Sequence, residues 1–327
     1  MRTQLLTSLL AFFVCALALL TSFTCTFAQS YPAKPITIVC AQPPGSGPDT
    51  MTRLFAEVMG RNLGQRILVV NQPGAAGTLA ASTVAKAAPD GYTLLLVLGA
   101  MHTIVPAMQE MPFDPVKDFT FISLMYVSSG VLLVPPSSPA KNFAEFVTLL
   151  KIKDSNASYG SPALGSPGHL QGALLSEKLG VKAKNVSYRG GTQLSTDLTG
   201  GLLDFAFLST VQSLAPIAQH QVRGIAVGTK ARVKALPDLP TLAELGYGDV
   251  AVDSWFGIGG PKNMPADIVA KLNAAMIEAA KDPLIVERAK VDAVELIAGS
   301  QAEFDKLLMY DYERLGKAVK RVGIKAE

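Results

Sequence analysis

What most constrains this chain is an alternation that runs through most of its 327 residues. Short β-branched apolar runs take turns with stretches whose apolar residues recur at helical spacing. Ile36–Ala41 is a run of the first kind, and Met51, Leu54, Phe55, Val58 and Met59 then follow a helical period. Ile67–Val70 predicts a second strand and Thr93–Leu98 a third, with a small-residue helix predicted over Thr78–Ala87 between them. Ala88-Pro89-Asp90-Gly91 stops that helix, with Asp90 as a turn residue. In the middle of the chain, helices are predicted over Ala144–Lys151, Leu170–Leu179 and Gln193–Thr199. Extended segments are predicted at Ser158–Gly160, Val186–Tyr188, Phe205–Leu208 and Ile225–Val227. Ala266–Ala280, Pro283–Lys290 and Ala302–Arg321 read as amphipathic helices. Short strands separated by helices make βαβ units, so the expected class is α/β with a largely parallel sheet. No period of solenoid length recurs.

Two of these strand–loop–helix units share a glycine-rich loop. The first loop is Pro43-Pro44-Gly45-Ser46-Gly47-Pro48-Asp49, and the second is Ser161-Pro162-Ala163-Leu164-Gly165-Ser166-Pro167-Gly168-His169. A helix N-terminus exposes unpaired N–H groups and a partial positive charge, which suits a carboxylate. Glycine lets a ligand approach the backbone, and Ser46 and Ser166 can donate hydroxyls. The plainer alternative is two ordinary connections in which Ser46 or Asp49 caps a helix.

Residues 1–28 differ from the rest. Arg2 supplies a positive charge, Leu5–Leu20 is apolar, and small residues Thr26 and Ala28 end the stretch, which is the order of a secretory signal. The apolar run is short of the roughly 20 residues a membrane span needs. Phe23 and Thr24 fit lipid attachment at Cys25 poorly. Without residues 1–28, Cys40 is the remaining cysteine, so no internal disulfide is expected and packing must supply stability. Hydrophobic residues make up 49% of the chain, enough for real cores. The net charge is +3, with no basic run or basic–aromatic stripe, which argues against nucleic acid as a partner.

Enzyme signatures are missing. Gly45-Ser46-Gly47 lacks the third glycine of a dinucleotide fingerprint, and no Gly-Lys-Ser/Thr phosphate loop or Gly-x-Ser-x-Gly elbow occurs. His102, His169 and His220 have no metal-ligand spacing, and Cys40 reads as buried filler in an apolar run. No catalytic residue, cofactor or metal is expected. His102 and His169 each flank a Gly- or Ser-rich segment and are either structural or ligand contacts.

Taken together, the ordered segments resemble the tripartite tricarboxylate transporter receptors, the Bug-type solute-binding proteins. The likeness runs from Tyr31 to Glu327. It includes Tyr31-Pro32-Ala33-Lys34-Pro35-Ile36, the first glycine-rich loop, Asn71-Gln72-Pro73-Gly74-Ala75 and Ala88-Pro89-Asp90-Gly91-Tyr92-Thr93. It continues through Asp114-Pro115-Val116-Lys117-Asp118-Phe119, Ser161-x-x-x-Gly165-Ser166-x-x-His169 and Tyr188-Arg189-Gly190. Leu236-Pro237-Asp238-Leu239-Pro240-Thr241, Ser254-Trp255-Phe256-Gly257 and Gly323-Ile324-Lys325-Ala326-Glu327 complete it. The resemblance implies a type II periplasmic-binding-protein fold, two α/β lobes with a ligand cleft between them. The implied divisions are a signal peptide at 1–28, lobe 1 at 29–128 and 251–327, and lobe 2 at 129–250. Crossings are expected near Val127–Gly130 and Asp249–Ser254. It further implies a periplasmic monomer, not an enzyme, that passes a small carboxylate to a two-component integral membrane transporter, or else serves a signalling partner as a sensor.

Carried onto this chain, the site comprises Pro44, Gly45, Ser46, Gly47, Asp49 and Thr50 in the first loop and Ser161, Ala163, Leu164, Gly165, Ser166 and His169 in the second. His102, Arg189, Leu208, Ser209 and Trp255 are further candidates. The family often has Gly at positions 46 and 163 and a polar residue at 164. Many relatives also carry an Asp-Asn pair where this chain has Leu208-Ser209. An ammonium buried beside Leu208 would lack an acidic partner, so a ligand without an ammonium group is expected. Met101, Leu164, Leu208 and Trp255 could wall the distal pocket, favouring an aromatic carboxylate such as terephthalate. Leu208 could equally pack in a core. Arg189 could pair with a second carboxylate or remain a solvated surface residue.

Overall fold

The computed structural model describes residues 31–229 and 231–326, so the expected signal peptide at 1–28 lies outside the described residues. The strands are β1 (Ile36–Cys40), β2 (Ile67–Asn71), β3 (Thr93–Leu98), β4 (Phe119–Ser128), β5 (Gly130–Val134) and β6 (Ser158–Ser161). They continue with β7 (Lys184–Ser187), β8 (Phe205–Ser209), β9 (Arg223–Val227), β10 (Ser254–Pro261) and β11 (Glu295–Leu296). The helices are α1 (Gly47–Leu63), α2 (Thr78–Ala85), α3 (Gly99–Thr103), α4 (Val105–Met108), α5 (Phe143–Lys153) and α6 (Pro167–Leu179). After them come α7 (Gly191–Thr199), α8 (Thr210–Ala218), α9 (Ala266–Ala279), α10 (Pro283–Asp292) and α11 (Gln301–Val322).

The strands form two sheets. The first has the order β11-β4-β10-β3-β1-β2, and the second β7-β6-β8-β5-β9. β1 is parallel to β2 and β3, while β10 runs antiparallel between β3 and β4. In the second sheet β6 is parallel to β7 and β8, and β5 is antiparallel to β8 and β9. Each sheet thus keeps a parallel βαβ core and adds antiparallel strands near the chain crossings. In such sheets ligands bind beyond the carboxyl ends of the parallel strands, where the loops feed helix N-termini.

Strand β10 is unexpected, because Gly257, Gly259, Gly260 and Pro261 read locally as breakers. The structure shows why glycine is needed. A Cβ on Gly257 would stand 2.6 Å from Phe304 Cε1 and 2.7 Å from the Ser123 carbonyl oxygen. Phe304 lies directly on the strand backbone, and its ring also meets Trp255 and Phe121 edge-on.

The first lobe buries Ile36, Ile38, Leu94, Leu95 and Leu96 of its sheet against Phe55, Met59, Leu272 and Met276 of its helices. The second lobe has two cores, one on each face of its sheet. Phe205 and Phe207 of β8 point to one face, with Tyr159, Leu170 and Leu174. Ala206 and Leu208 point to the other, with Leu194, Leu198 and Val222. This is the two-residue alternation of a strand covered on both sides.

Helix α11, in the 251–327 segment expected in lobe 1, reaches both sheets. Its first turns seat Phe304 on the first sheet, but Leu315, Ala318 and Val319 join the Phe205–Phe207 core of the second lobe. Arg321 near its end pairs with Glu177 of α6 at 3.0 Å. The helix starts with a capping box, Ser300 and Glu303 satisfying each other's backbone N–H.

Candidate functional site

The two glycine-rich loops fold into the same local structure. Gly45 and Gly165 take left-handed φ values of 78° and 72°. The next residue is the N-cap: Ser46 at φ −66°, ψ 158° and Ser166 at φ −72°, ψ 159°. Proline follows in the first turn of each helix, where a missing N–H costs little. The third helical residue then reaches back to the glycine. Asp49 Oδ2 accepts the Gly45 N–H at 2.8 Å, and His169 Nδ1 accepts the Gly165 N–H at 3.2 Å. Each loop is therefore a cradle at the carboxyl end of a strand, β1 for the first and β6 for the second.

The cradles differ in their remaining bonds. The Ser46 hydroxyl donates to the Pro43 carbonyl at 2.8 Å and caps no helix N–H. The first-turn amides of Gly47 and Asp49 are therefore left without a side-chain cap. In the second cradle, Ser166 Oγ accepts the His169 N–H at 3.3 Å. Pro167 has no N–H, which leaves the Gly168 amide at the tip of α6. Thr50 closes the first turn by donating its N–H to the Ser46 carbonyl at 2.9 Å.

Asp49 is buried and its oxygens are occupied. Besides Gly45, it accepts from Arg53 Nε at 3.0 Å and from Asn71 Nδ2 at 2.7 Å. Burial pushes its carboxyl up, but the bonds from Arg53, Asn71 and Gly45 outweigh that and hold it below the usual range. Its role is to shape the loop. His169 is also buried, and burial lowers it to about 4, so its ring is neutral at neutral pH. With Nδ1 accepting, its proton sits on Nε2.

Each cradle reaches the opposite lobe. A Cβ on Gly47 would lie 3.6 Å from Val211 Cγ1 at the start of α8. A Cβ on Gly165 would lie 3.0 Å from Met108 Sδ and 3.3 Å from Val105 Cγ2 on α4. A methyl group at Gly165 would press on the Met108 and Val105 side chains and would be strained at this left-handed φ. Ser128 and Thr210 hydroxyls add a link at 3.3 Å where β4 leaves the first sheet.

The other expected contacts fall in varied places. Pro44 and Gly45 are exposed, as is Ala163, and Leu164 is half-buried. Ser161 is buried and bonded to the Asn185 side chain. Ser209 is the half-buried N-cap of α8, and its hydroxyl donates to Gln212 Oε1 at 3.3 Å. Arg189 is exposed beside the second cradle, where Gly190 N–H bonds the Pro162 carbonyl at 2.8 Å.

Four further candidate residues are buried. Leu208 is 1% exposed and packs in the second-lobe core with Leu194 and Leu198, the second of the two readings its sequence allowed. Trp255 is 2% exposed, and its Nε1–H donates to Asp311 Oδ2 at 2.9 Å. Its ring also covers Gly99, whose Cβ would lie 2.6 Å from Trp255 Cε2. His102 is fully buried against the edges of Phe119 and Phe121, and its Nδ1 bonds the Pro115 carbonyl at 2.6 Å. That geometry makes it a core residue, lowered to about 4 by burial despite that bond. Met101 is likewise buried, with its sulfur against Gly77.

Sequence reasoning missed Arg53, Asn71, Val211 and the α4 pair Val105 and Met108. Arg53 was findable, four residues after Asp49 on one helix. Val211 and Met108 carry no local signal, because only the apposition of the lobes brings them to the cradles.

The family model for the tripartite tricarboxylate transporter family receptor matches residues 51–324. The chain belongs to that family. Receptors of this family are solute-binding proteins and not enzymes. An Agrobacterium vitis protein from the ttuE–ttuC' intergenic region is 35% identical over 90% of this chain and 86% of its own length. Among solved structures, one described as a periplasmic transporter superposes with a TM-score of 0.82 at 32% identity, covering 90% of this chain and 99% of its own. The R. palustris receptor solved with adipate also gives a TM-score of 0.82, at 28% identity over 90% of this chain and 99% of that one. MatC of Rhodopseudomonas palustris, with bound malate, gives 0.79 at 28% identity, covering 88% and 100%.

Proposed function

We propose that this chain is an exported periplasmic receptor that closes two lobes on a small carboxylate and delivers it to a two-component integral membrane transporter. The observation that carries this reading is the pair of matched cradles, each pressed towards the opposite lobe. Helix N-termini favour anions through their free N–H groups and partial positive charge. In this reading the amides of Gly47, Asp49 and Gly168, at the tips of the two helices, hold one carboxylate between the lobes. Adipate and malate in the two R. palustris relatives have this chemistry. In this reading residues 1–28 are the signal peptide, 29–128 and most of 251–327 form lobe 1, and 129–250 form lobe 2. The receptor acts as a monomer.

The ligand class follows from where these side chains sit. With Met101, Leu208 and Trp255 buried, the apolar wall that favoured terephthalate keeps only Leu164. A linear dicarboxylate is the better fit, with the Arg189 guanidinium facing its second carboxylate. An amino acid is disfavoured, because the Asp49 oxygens are already taken and position 208 is Leu208.

The test is calorimetric titration of protein purified from the periplasmic fraction, with malate, adipate, terephthalate, citrate and glutamate in turn. A linear dicarboxylate should bind, and at about 100 times its dissociation constant it should add roughly 2.7 kcal/mol to stability. Binding of terephthalate alone would restore the aromatic reading, and binding of glutamate alone would sink the ammonium argument. Failure of every acid would overturn the carboxylate reading.

A further inference from the structure

We infer that His169 is a positioning residue whose neutral imidazole shapes the second cradle while keeping negative charge out of it. The inference rests on the carboxylate reading above and concerns the division of labour inside that site. The two cradles superimpose residue by residue in role: Gly45 with Gly165, Ser46 with Ser166, Asp49 with His169. In both, the third helical residue accepts the N–H of the left-handed glycine. A cradle of this shape needs an acceptor there, and a carboxylate is the usual one at a helix N-terminus.

The first cradle can use a carboxylate because it also holds a cation. Arg53, four residues after Asp49, bonds the carboxylate at 3.0 Å, and Asn71 bonds the other oxygen at 2.7 Å. Among the described residues no cation is bonded to the His169 side chain, and Arg189, beside the second cradle, is exposed. The residue four after His169 is Ala173. A carboxylate at position 169 would stand uncompensated beneath the site of an anionic ligand, where like charges repel. Imidazole avoids this by accepting with a neutral atom. Its backbone is held at the same time, with its N–H on Ser166 Oγ at 3.3 Å and its carbonyl accepting from the Tyr159 hydroxyl at 3.3 Å. The ring is buried and lowered to about 4, so it accepts throughout the neutral range.

A substitution series separates acceptor from charge. His169→Ala removes the acceptor, His169→Asn offers a neutral one in the place of Nδ1, and His169→Asp offers a charged one. The double variant His169→Asp with Ala173→Arg rebuilds the ion pair of the first cradle. Each protein is titrated with malate and adipate, and its thermal midpoint is read without ligand. We expect Ala to bind at least about tenfold more weakly than the parent, and Asn to recover most of that loss. Asp should match Asn in ligand-free midpoint yet bind roughly tenfold more weakly, with Ala173→Arg restoring affinity. If the Ala variant does not fold, the Asn and Asp pair decides alone. Equal affinity of Asn and Asp would overturn the inference, as would full affinity in a folded Ala variant. A parent protein that binds none of malate, adipate, terephthalate and citrate would overturn the carboxylate reading and the inference with it.

Discussion

Trp255 and Asp311 meet across 2.9 Å, indole N–H to carboxylate, inside the seam between β10 and α11. Arg314 holds the other oxygen of Asp311 at 3.0 Å and spends a further N–H on the Ala251 carbonyl at 2.9 Å. The tryptophan thus ties the last helix to the strand and to the segment entering it. Replacing Trp255 with Phe removes the donor and leaves one buried carboxylate oxygen short of a partner. The expected cost is about 1–3 kcal/mol in denaturant unfolding, with dicarboxylate affinity unchanged by calorimetry. A loss of affinity at constant stability would return Trp255 to the ligand site.

Leu208→Ala tests the other relocated residue. Its side chain is enclosed by Leu194, Leu198, Val131 and Val222, so truncation opens a cavity. Destabilisation of roughly 2–5 kcal/mol is expected, seen as a lower denaturation midpoint at unchanged slope. Ligand preference among malate, adipate and terephthalate should stay as in the parent. A switch in preference would show that position 208 faces ligand.

Arg189→Ala addresses the second carboxylate. Dicarboxylate affinity should fall roughly tenfold, while affinity for a monocarboxylate of the same length stays level. Equal losses for both acids would mean that the guanidinium acts on the cradle and not on the distal end.

The two buried histidines make stability depend on pH. His102 and His169 both sit at about 4 in the folded protein against an ordinary value of 6.5, in each case because burial disfavours the charged ring. Between those values the unfolded chain binds the protons and the folded one does not. Stability therefore rises with pH across that window, and it falls as the pH drops from 6.5 towards 4. Unfolding free energies measured across the window should report uptake of about two protons from these rings, and of about one in His169→Asn. An identical slope in parent and variant would mean that His169 is already charged in the fold.

Much of this architecture was legible because its signals are local. The β-branched run at Ile36–Cys40 and the helical period at Met51, Phe55 and Met59 each lie within a few turns of chain. The cradles were legible for the same reason, since glycine, serine and proline at fixed offsets specify a loop and a cap. Strand β10 was not, because Gly257 is glycine on account of Phe304, a residue distant in sequence. Leu208 was left between cleft and core for a related reason. Alternation along β8 tells that Phe207 and Leu208 face opposite ways, but not that helices cover both faces. Apolar residues near a site look alike in sequence whether they line a cleft or fill a core. The Arg53 pairing was readable from its spacing, and the contact of Gly47 with Val211 was not, since it exists only between lobes.

Helix α11 has one end seated on each lobe, Phe304 over the first sheet and Leu315, Ala318 and Val319 in the core of the second. Those three side chains are almost wholly enclosed, so drawing them out would expose apolar surface to water. Parting the sheets along this side would therefore cost that burial. One helix therefore fastens both sheets, its first turns to one and its last turns to the other.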